Sequence, residues 1–228
     1  MSEVLLLAAM AEETRPVLDG RQATELEVAR GRAWRLESDG LEITLVTCGI
    51  GLVNSAAATA VAIETYQPRY VISLGSAGGL GTDVRVGDII VGDSYRYADA
   101  DSRIFGYELG QIPTMPKAYQ GDPGLLELVR ADDADATVHV GGIVSGNSFV
   151  AGDVTTVVRG RFPDALAADM ESTAIAQVAH RYQLPFICVR SISDLCSPNA
   201  DDEFKGSIDD VAQRSADAVW RLVARLPR

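Results

Sequence analysis

Tyr70-Val71-Ile72-Ser73-Leu74-Gly75-Ser76-Ala77-Gly78-Gly79 decides the fold. Residues 70–74 form the continuous apolar run of a strand buried on both faces, and the glycines that follow read as a tight turn. Strands of that kind belong to sheets covered by helices. Upstream, residues 51–66 are Ala-rich with small residues on one face and are stopped by Pro68, which predicts a helix. Residues 33–37 and 41–47 alternate apolar and polar around Asp39-Gly40, the pattern of a hairpin. Residues 4–9 form another buried strand, and residues 10–18 a helix with Glu12 and Glu13 in its first turn.

Downstream, strands are expected over residues 88–92, 137–144, 165–168 and 185–192. Helices are expected over 153–159 (capped by Asp153), over 172–182 and, strongly amphipathic, over 208–226. Residues 95–123 carry Tyr95, Tyr97, Phe105, Tyr107, Tyr119, Pro113 and Pro116 without a sustained period. A loop of that length is functional or sits at an interface. The chain therefore reads as α/β: residues 1–228 as a single domain with a central mixed, mostly parallel sheet flanked by helices.

Composition removes several function classes. Asp plus Glu outnumber Lys plus Arg by 32 to 20, and the net charge of −12 repels phosphate backbones, which argues against general nucleic-acid binding. Hydrophobic residues at 47% and charged residues at 23% exclude a disordered or fibrous chain. Cys48, Cys188 and Cys196 form no C-x-x-C pair, and His139 and His180 are the only histidines. That pattern rules out a disulfide scaffold and argues against a Cys/His zinc site. The first apolar run is flanked by Glu3, Glu12 and Glu13 rather than by a basic segment. No apolar stretch approaches the roughly 20 residues of a membrane helix. The expectation is a cytoplasmic protein with a small-molecule ligand and no membrane, metal or nucleic-acid partner.

Ligands of open α/β sheets bind beyond the carboxyl ends of the strands. Four predicted strands deliver chemistry there: Glu13 after the first, Gly75 to Gly79 after the second, Asp169-Met170-Glu171 after residue 168, and Ser193-Asp194 after residue 192. Each acid alone has a plain structural reading. Glu13 and Glu171 suit a helix first turn, worth about 0.3–1 kcal/mol, and Asp194 suits a cap. Three acids on the same edge of one sheet favour a site. The glycines either serve turns or let a ligand approach the backbone. They form no P-loop, and Gly49-x-Gly51-x-x-Asn54 lacks the third glycine of a dinucleotide fingerprint.

Leu7-Ala8-Ala9-Met10-Ala11-Glu12-Glu13, Cys48-Gly49-Ile50-Gly51, Leu74-Gly75-Ser76-Ala77-Gly78-Gly79-Leu80, Val86-Gly87-Asp88, Asp169-Met170-Glu171-Ser172-Thr173-Ala174-Ile175-Ala176 and Val189-Arg190-Ser191-Ile192-Ser193-Asp194 resemble the bacterial 5′-methylthioadenosine/S-adenosylhomocysteine nucleosidases, within the nucleoside phosphorylase superfamily. The resemblance runs in order from about Val4 to the final helix. It implies a nucleoside phosphorylase-like fold and hydrolysis of a 5′-thio-substituted adenosine to adenine and a thioribose, with no cofactor. By the same resemblance Glu13 activates water, Glu171 grips the ribose hydroxyls beside Met170, and Asp194 binds N7 and the exocyclic amine of adenine. Ser76 and Arg190 help to hold the water, Phe149 and Val150 bind the adenine ring, and Phe204 lids the 5′ pocket. Met10, Ile50, Ala77, Gly78, Asp169 and Ser193 complete the implied lining. The resemblance also implies a homodimer in which Phe105, Tyr107 and Pro113 reach the partner's 5′ pocket. Glu12 lies one position before Glu13, so that assignment rests on the motif's spacing.

The chemistry is coherent on its own terms. Breaking the C–N bond leaves positive charge on the ribose and negative charge on the purine, so an acid at N7, a base for water and a carboxylate at the sugar all lower the barrier. An acid at Asp194 requires a raised pKa, which burial among Ile192, Leu195 and Phe204 supplies. Phosphorylases of the superfamily hold phosphate with arginines, one of them two residues before the Gly-Ser turn, where this chain has Ser73. Two departures stand out: Ser102-Arg103 in the long loop where smaller or apolar residues are usual, and Asp169 where Glu is frequent. Futalosine-type substrates, phosphorolysis and nucleoside binding without chemistry remain the alternatives.

Overall fold

Val4–Ala8 (β1) lies between two parallel neighbours, Leu41–Thr47 (β4) and Tyr70–Gly79 (β5), and all five of its residues are buried. The computed structural model describes residues 3–28, 31–130 and 138–227. Strand alternation divides the core into layers. Leu5 and Leu7 face a cluster with Ala58, Ala62 and Ile63 of Leu52–Tyr66 (α2) and Ile175, Ala176 and Ala179 of Ser172–Tyr182 (α5). Val4, Leu6 and Ala8 face the other side, against Ala216, Val219, Leu222 and Val223 of Ala200–Val223 (α6).

Beyond β4 the sheet continues through Gly31–Ser38 (β3) to an edge strand, Ala23–Val28 (β2). Asp39 and Gly40 turn the β3–β4 hairpin with φ of 52° and 80°. On the other side β5 pairs with Phe186–Asp194 (β10), which pairs with Ile89–Tyr97 (β6). Next come Val138–Ser145 (β8) and Ala165–Asp169 (β9), and β9 returns to β5 through Gly78 and Gly79. Five strands thus close on themselves, and β9 meets β5 antiparallel. The sheet is mixed, as expected, with five parallel and five antiparallel pairings among the described residues.

Several local expectations are corrected. The glycine run is not a turn: β5 continues unbroken to Gly79. Its backbone is pressed by side chains from elsewhere, since a Cβ on Gly75 would collide with Glu13 Oε1 and Arg190 Nη1, and φ there is +139°. Only a residue without a side chain permits that approach. The long loop is interrupted: β6 runs to Tyr97, Tyr119–Gln120 (β7) pairs with it, and Pro123 opens Pro123–Arg130 (α3) at a position where its missing N–H costs nothing. Gly152, not Asp153, occupies the cap position of Asp153–Arg161 (α4). Helix α6 starts eight residues earlier than the amphipathic pattern indicated, because acidic Asp201, Asp202 and Glu203 favour its first turn. The predicted strand at 137–144 begins on Thr137, outside the described residues. Ala11–Leu18 (α1) and α5 agree with expectation to within a residue.

Candidate active site

The ends of β1, β5, β9 and β10 enclose a cavity of about 200 Å³. Its wall holds Met10, Glu13, Ile50, Ser76, Ala77, Gly78, Phe149, Val150, Asp169, Met170, Glu171, Ser193, Asp194 and Phe204, together with Ala9, Ser148 and Ala168. The last three were not anticipated, although each adjoins a residue that was. Arg190, Phe105, Tyr107 and Pro113 do not reach this wall. The carboxylates gather for a reason other than a single parallel edge. Strands β1, β5 and β10 run into the cavity side by side, whereas β9 brings Asp169 and Glu171 in from the opposite direction across ring closure.

Glu13 projects from the first turn of α1 and is buried, while Glu12 is exposed. Its Oε2 accepts hydrogen bonds from the backbone N–H of Ala9 (2.9 Å) and Met10 (3.3 Å). Its Oε1 accepts from the Ser76 N–H (2.9 Å) and Ser76 Oγ (3.0 Å). Four donors from two strand ends therefore fix the carboxylate across the cavity floor.

Arg190 is 1% exposed and works beneath the wall. Its Nε donates to Asp169 Oδ2 (3.0 Å), Nη1 to the Leu74 carbonyl (2.9 Å) and Nη2 to Ser73 Oγ (3.2 Å). Glu171 Oε2 is farther away, 3.5 Å from Nη2, so the main counter-ion is Asp169 rather than Glu171. The other oxygen of Asp169, Oδ1, accepts from the Ser172 N–H (3.2 Å) and Ser172 Oγ (3.0 Å) and from Ser145 Oγ. The shorter acid is thus consumed by the scaffold. Glu171 accepts the Gly51 N–H at 2.9 Å. Burial pushes its carboxyl up to about 7; Arg190 opposes the shift, while Asp169 and Glu13 add to it.

Asp194 is 1% exposed and, among the described residues, has no cation in ion-pair contact. Ser193 Oγ donates to Oδ2 (2.8 Å) and the Cys196 N–H to Oδ1 (2.9 Å). Burial raises its pKa, with these hydrogen bonds opposing. Phe149 and Phe204 meet edge to face at 6.2 Å between ring centroids, closing the apolar part of the wall. Among the described residues no three His, Cys, Asp or Glu side chains gather as a metal site.

The model of the phosphorylase superfamily matches residues 3–226. The 5′-methylthioadenosine/S-adenosylhomocysteine nucleosidase of Chromohalobacter salexigens is 39% identical over 99% of this chain and 98% of its own. The chain belongs to that nucleosidase family of the phosphorylase superfamily. The nucleosidase of Staphylococcus aureus is 37% identical over 97% of this chain and 99% of its own. The crystal structure of the Neisseria meningitidis nucleosidase, in complex with methylthio-immucillin-A, superposes with a TM-score of 0.95 at 34% identity, covering 99% of this chain and 100% of that one. For this nucleosidase-family chain, the long loop carries its own signature. Arg103 pairs with Asp101 (2.6 Å), while Ile104 and Phe105 stand 88% and 78% exposed. Among the described residues no helix is long and apolar enough to cross a membrane.

Proposed function

We infer that the protein is an N-glycosyl hydrolase that converts 5′-methylthioadenosine or S-adenosylhomocysteine and water to adenine and the corresponding 5-thioribose. The observation that carries this reading is the pairing, in one cavity, of a buried acid without a cation (Asp194) and a buried carboxylate locked to Ser76 (Glu13). Asp194, its proton retained by burial, donates to N7 as the glycosidic bond lengthens, which makes adenine a neutral leaving group. Glu13 and Ser76 orient a water toward the anomeric carbon, and Glu13 takes its proton as the new C–O bond forms. Ionised Glu171, beside Met170, holds the ribose hydroxyls and offsets the charge that develops on the sugar. Phe149 and Val150 flank the purine, and Phe204 covers the 5′ substituent. Arg190 acts from below by neutralising Asp169.

The exposed Ile50, Val53, Ile104 and Phe105 support a homodimer in which the long loop, with Tyr107 and Pro113, completes the partner's 5′ pocket. Sedimentation at micromolar concentration is expected to give twice the chain mass; a fully active monomer overturns this. Three buried free thiols suit the reducing cytoplasm. Adenine release from methylthioadenosine, adenosylhomocysteine, 5′-deoxyadenosine and futalosine tests the substrate reading directly. Fast release from the first two supports it, and release from futalosine alone contradicts it.

A further inference from the structure

The turn that follows Asp194 is gripped from two helices. Glu203, near the start of α6, accepts the Leu195 N–H with Oε2 (3.2 Å) and Ser197 Oγ with Oε1 (2.7 Å). One helical turn later Ser207 Oγ donates to the Ser193 carbonyl (2.8 Å). From α4, Thr155 Oγ1 donates to the Cys196 carbonyl (2.7 Å) and Arg159 Nη2 to the Leu195 carbonyl (3.4 Å). The turn needs this support. Cys196 adopts φ +55°, a left-handed conformation that costs a non-glycine residue on the order of 1–2 kcal/mol. Its N–H must stay there, because it is one of the two donors that aim the Asp194 carboxyl.

We propose that Glu203 is a positioning residue for the acid: by tying the turn at 195–197 to α6, it keeps the Asp194 carboxyl aimed into the cavity and couples that aim to Phe204, the next residue in the wall. The inference rests on the nucleosidase reading of the cavity. It assigns α6 two joined tasks, closing the pocket and holding the proton donor. A displaced Phe204 therefore loosens the Asp194 turn as well. The charge of Glu203 contributes separately from its hydrogen bonds, since a second carboxylate near Asp194 favours the protonated acid. The other groups facing Asp194 do not oppose this change on titration. The Cys196 thiol is pushed up to about 12 by burial and stays neutral, and Arg159 of α4 reaches the turn only through carbonyl oxygens. Glu13 and Glu171 share the cavity but make no hydrogen bond to this turn.

The test compares wild type, Glu203→Ala and Glu203→Gln by the pH dependence of kcat and KM for adenine release from methylthioadenosine. Glu203→Ala is expected to lower kcat by roughly 10- to 100-fold with KM changed by less than about threefold, since the donor is misaimed rather than the pocket emptied. Glu203→Gln keeps an oxygen to accept the Leu195 N–H, and its amide can donate to Ser197 Oγ with that hydrogen bond reversed, but the charge is removed. It is expected to restore kcat at low pH to within about threefold of wild type while the alkaline limb of its profile moves to lower pH. Variants indistinguishable from wild type overturn the proposal. So does a loss in both variants that falls on KM and kcat together without a shift of the alkaline limb, which marks a purely structural role. A wild-type chain that releases no adenine overturns the functional reading itself, whatever the variants do.

Discussion

Two carboxylate neighbourhoods line the same cavity and are built by opposite means. Around Glu13, Asp169 and Glu171 the fold supplies a buried cation, Arg190, and a dense set of backbone and hydroxyl donors. Around Asp194 it supplies two donors, apolar neighbours and a second acid, Glu203, on the adjoining helix. In the proposed function, identical groups are thereby directed to different tasks, negative charge beside the sugar and a retained proton beside the base. The scaffold under the first neighbourhood is also more rigidly specified, since Gly75 must carry no side chain for Glu13 and Arg190 to approach.

The comparison breaks first at Asp194. Asp194→Asn keeps the shape and removes the transferable proton, so adenine release should fall by about 10³–10⁴-fold with an unchanged melting temperature. Turnover near wild type would remove the acid from this neighbourhood. Glu13→Gln should cost about 10³-fold in turnover while equilibrium dialysis still shows methylthioadenosine bound. Exposed Glu12, altered the same way, should leave turnover unchanged, and the reverse result would move the base by one position.

Gly75→Ala probes the scaffold rather than the chemistry. The added Cβ meets Glu13 and Arg190 well inside van der Waals distance, and denaturant titration should show a loss of about 3 kcal/mol. A stability change below about 0.5 kcal/mol would mean that the floor is more pliable than its packing indicates.

The smallest effect is the pH dependence contributed by Glu171. Its carboxyl titrates near 7 in the folded chain, against 4.5 ordinarily. Between those values the folded state holds a proton that the unfolded state has released, so stability falls as pH rises through this window and levels off above it. Glu171→Gln should flatten that part of the stability curve. In the wild type, kcat/KM should decline as pH drops below about 7, where Glu171 loses its charge.

Much of this arrangement was legible in the residues, and what was not has identifiable physical causes. The continuous apolar run of β1 is set locally, as are the Asp39-Gly40 hairpin and α5 at residues 172–182. The continuation of β5 through its glycines was not, because glycine signals a turn locally and only distant Glu13 and Arg190 reveal why the strand needs it. Strand β2 escaped because Thr24, Glu25 and Glu27 belong to an edge strand with a polar sequence. The cavity residues were readable as strand-end acids, but the return of β9 to β5 was not. Nor did spacing show that Arg190 sits below the wall with Asp169.

The central claim is that this cavity delivers water, not phosphate, to the sugar and a proton to the purine. Arg190 donates to Ser73, Leu74 and Asp169 and stays buried behind the cavity wall, so it is turned to the scaffold rather than toward a phosphate dianion. Buried Glu13 and Glu171 would meet that dianion with like charge. Methylthioadenosine turned over in ¹⁸O-labelled water, with and without millimolar phosphate, measures this directly. Equal rates are expected, with a free methylthioribose that carries one labelled oxygen. A strict requirement for phosphate, or a ribose 1-phosphate product without label, would contradict it.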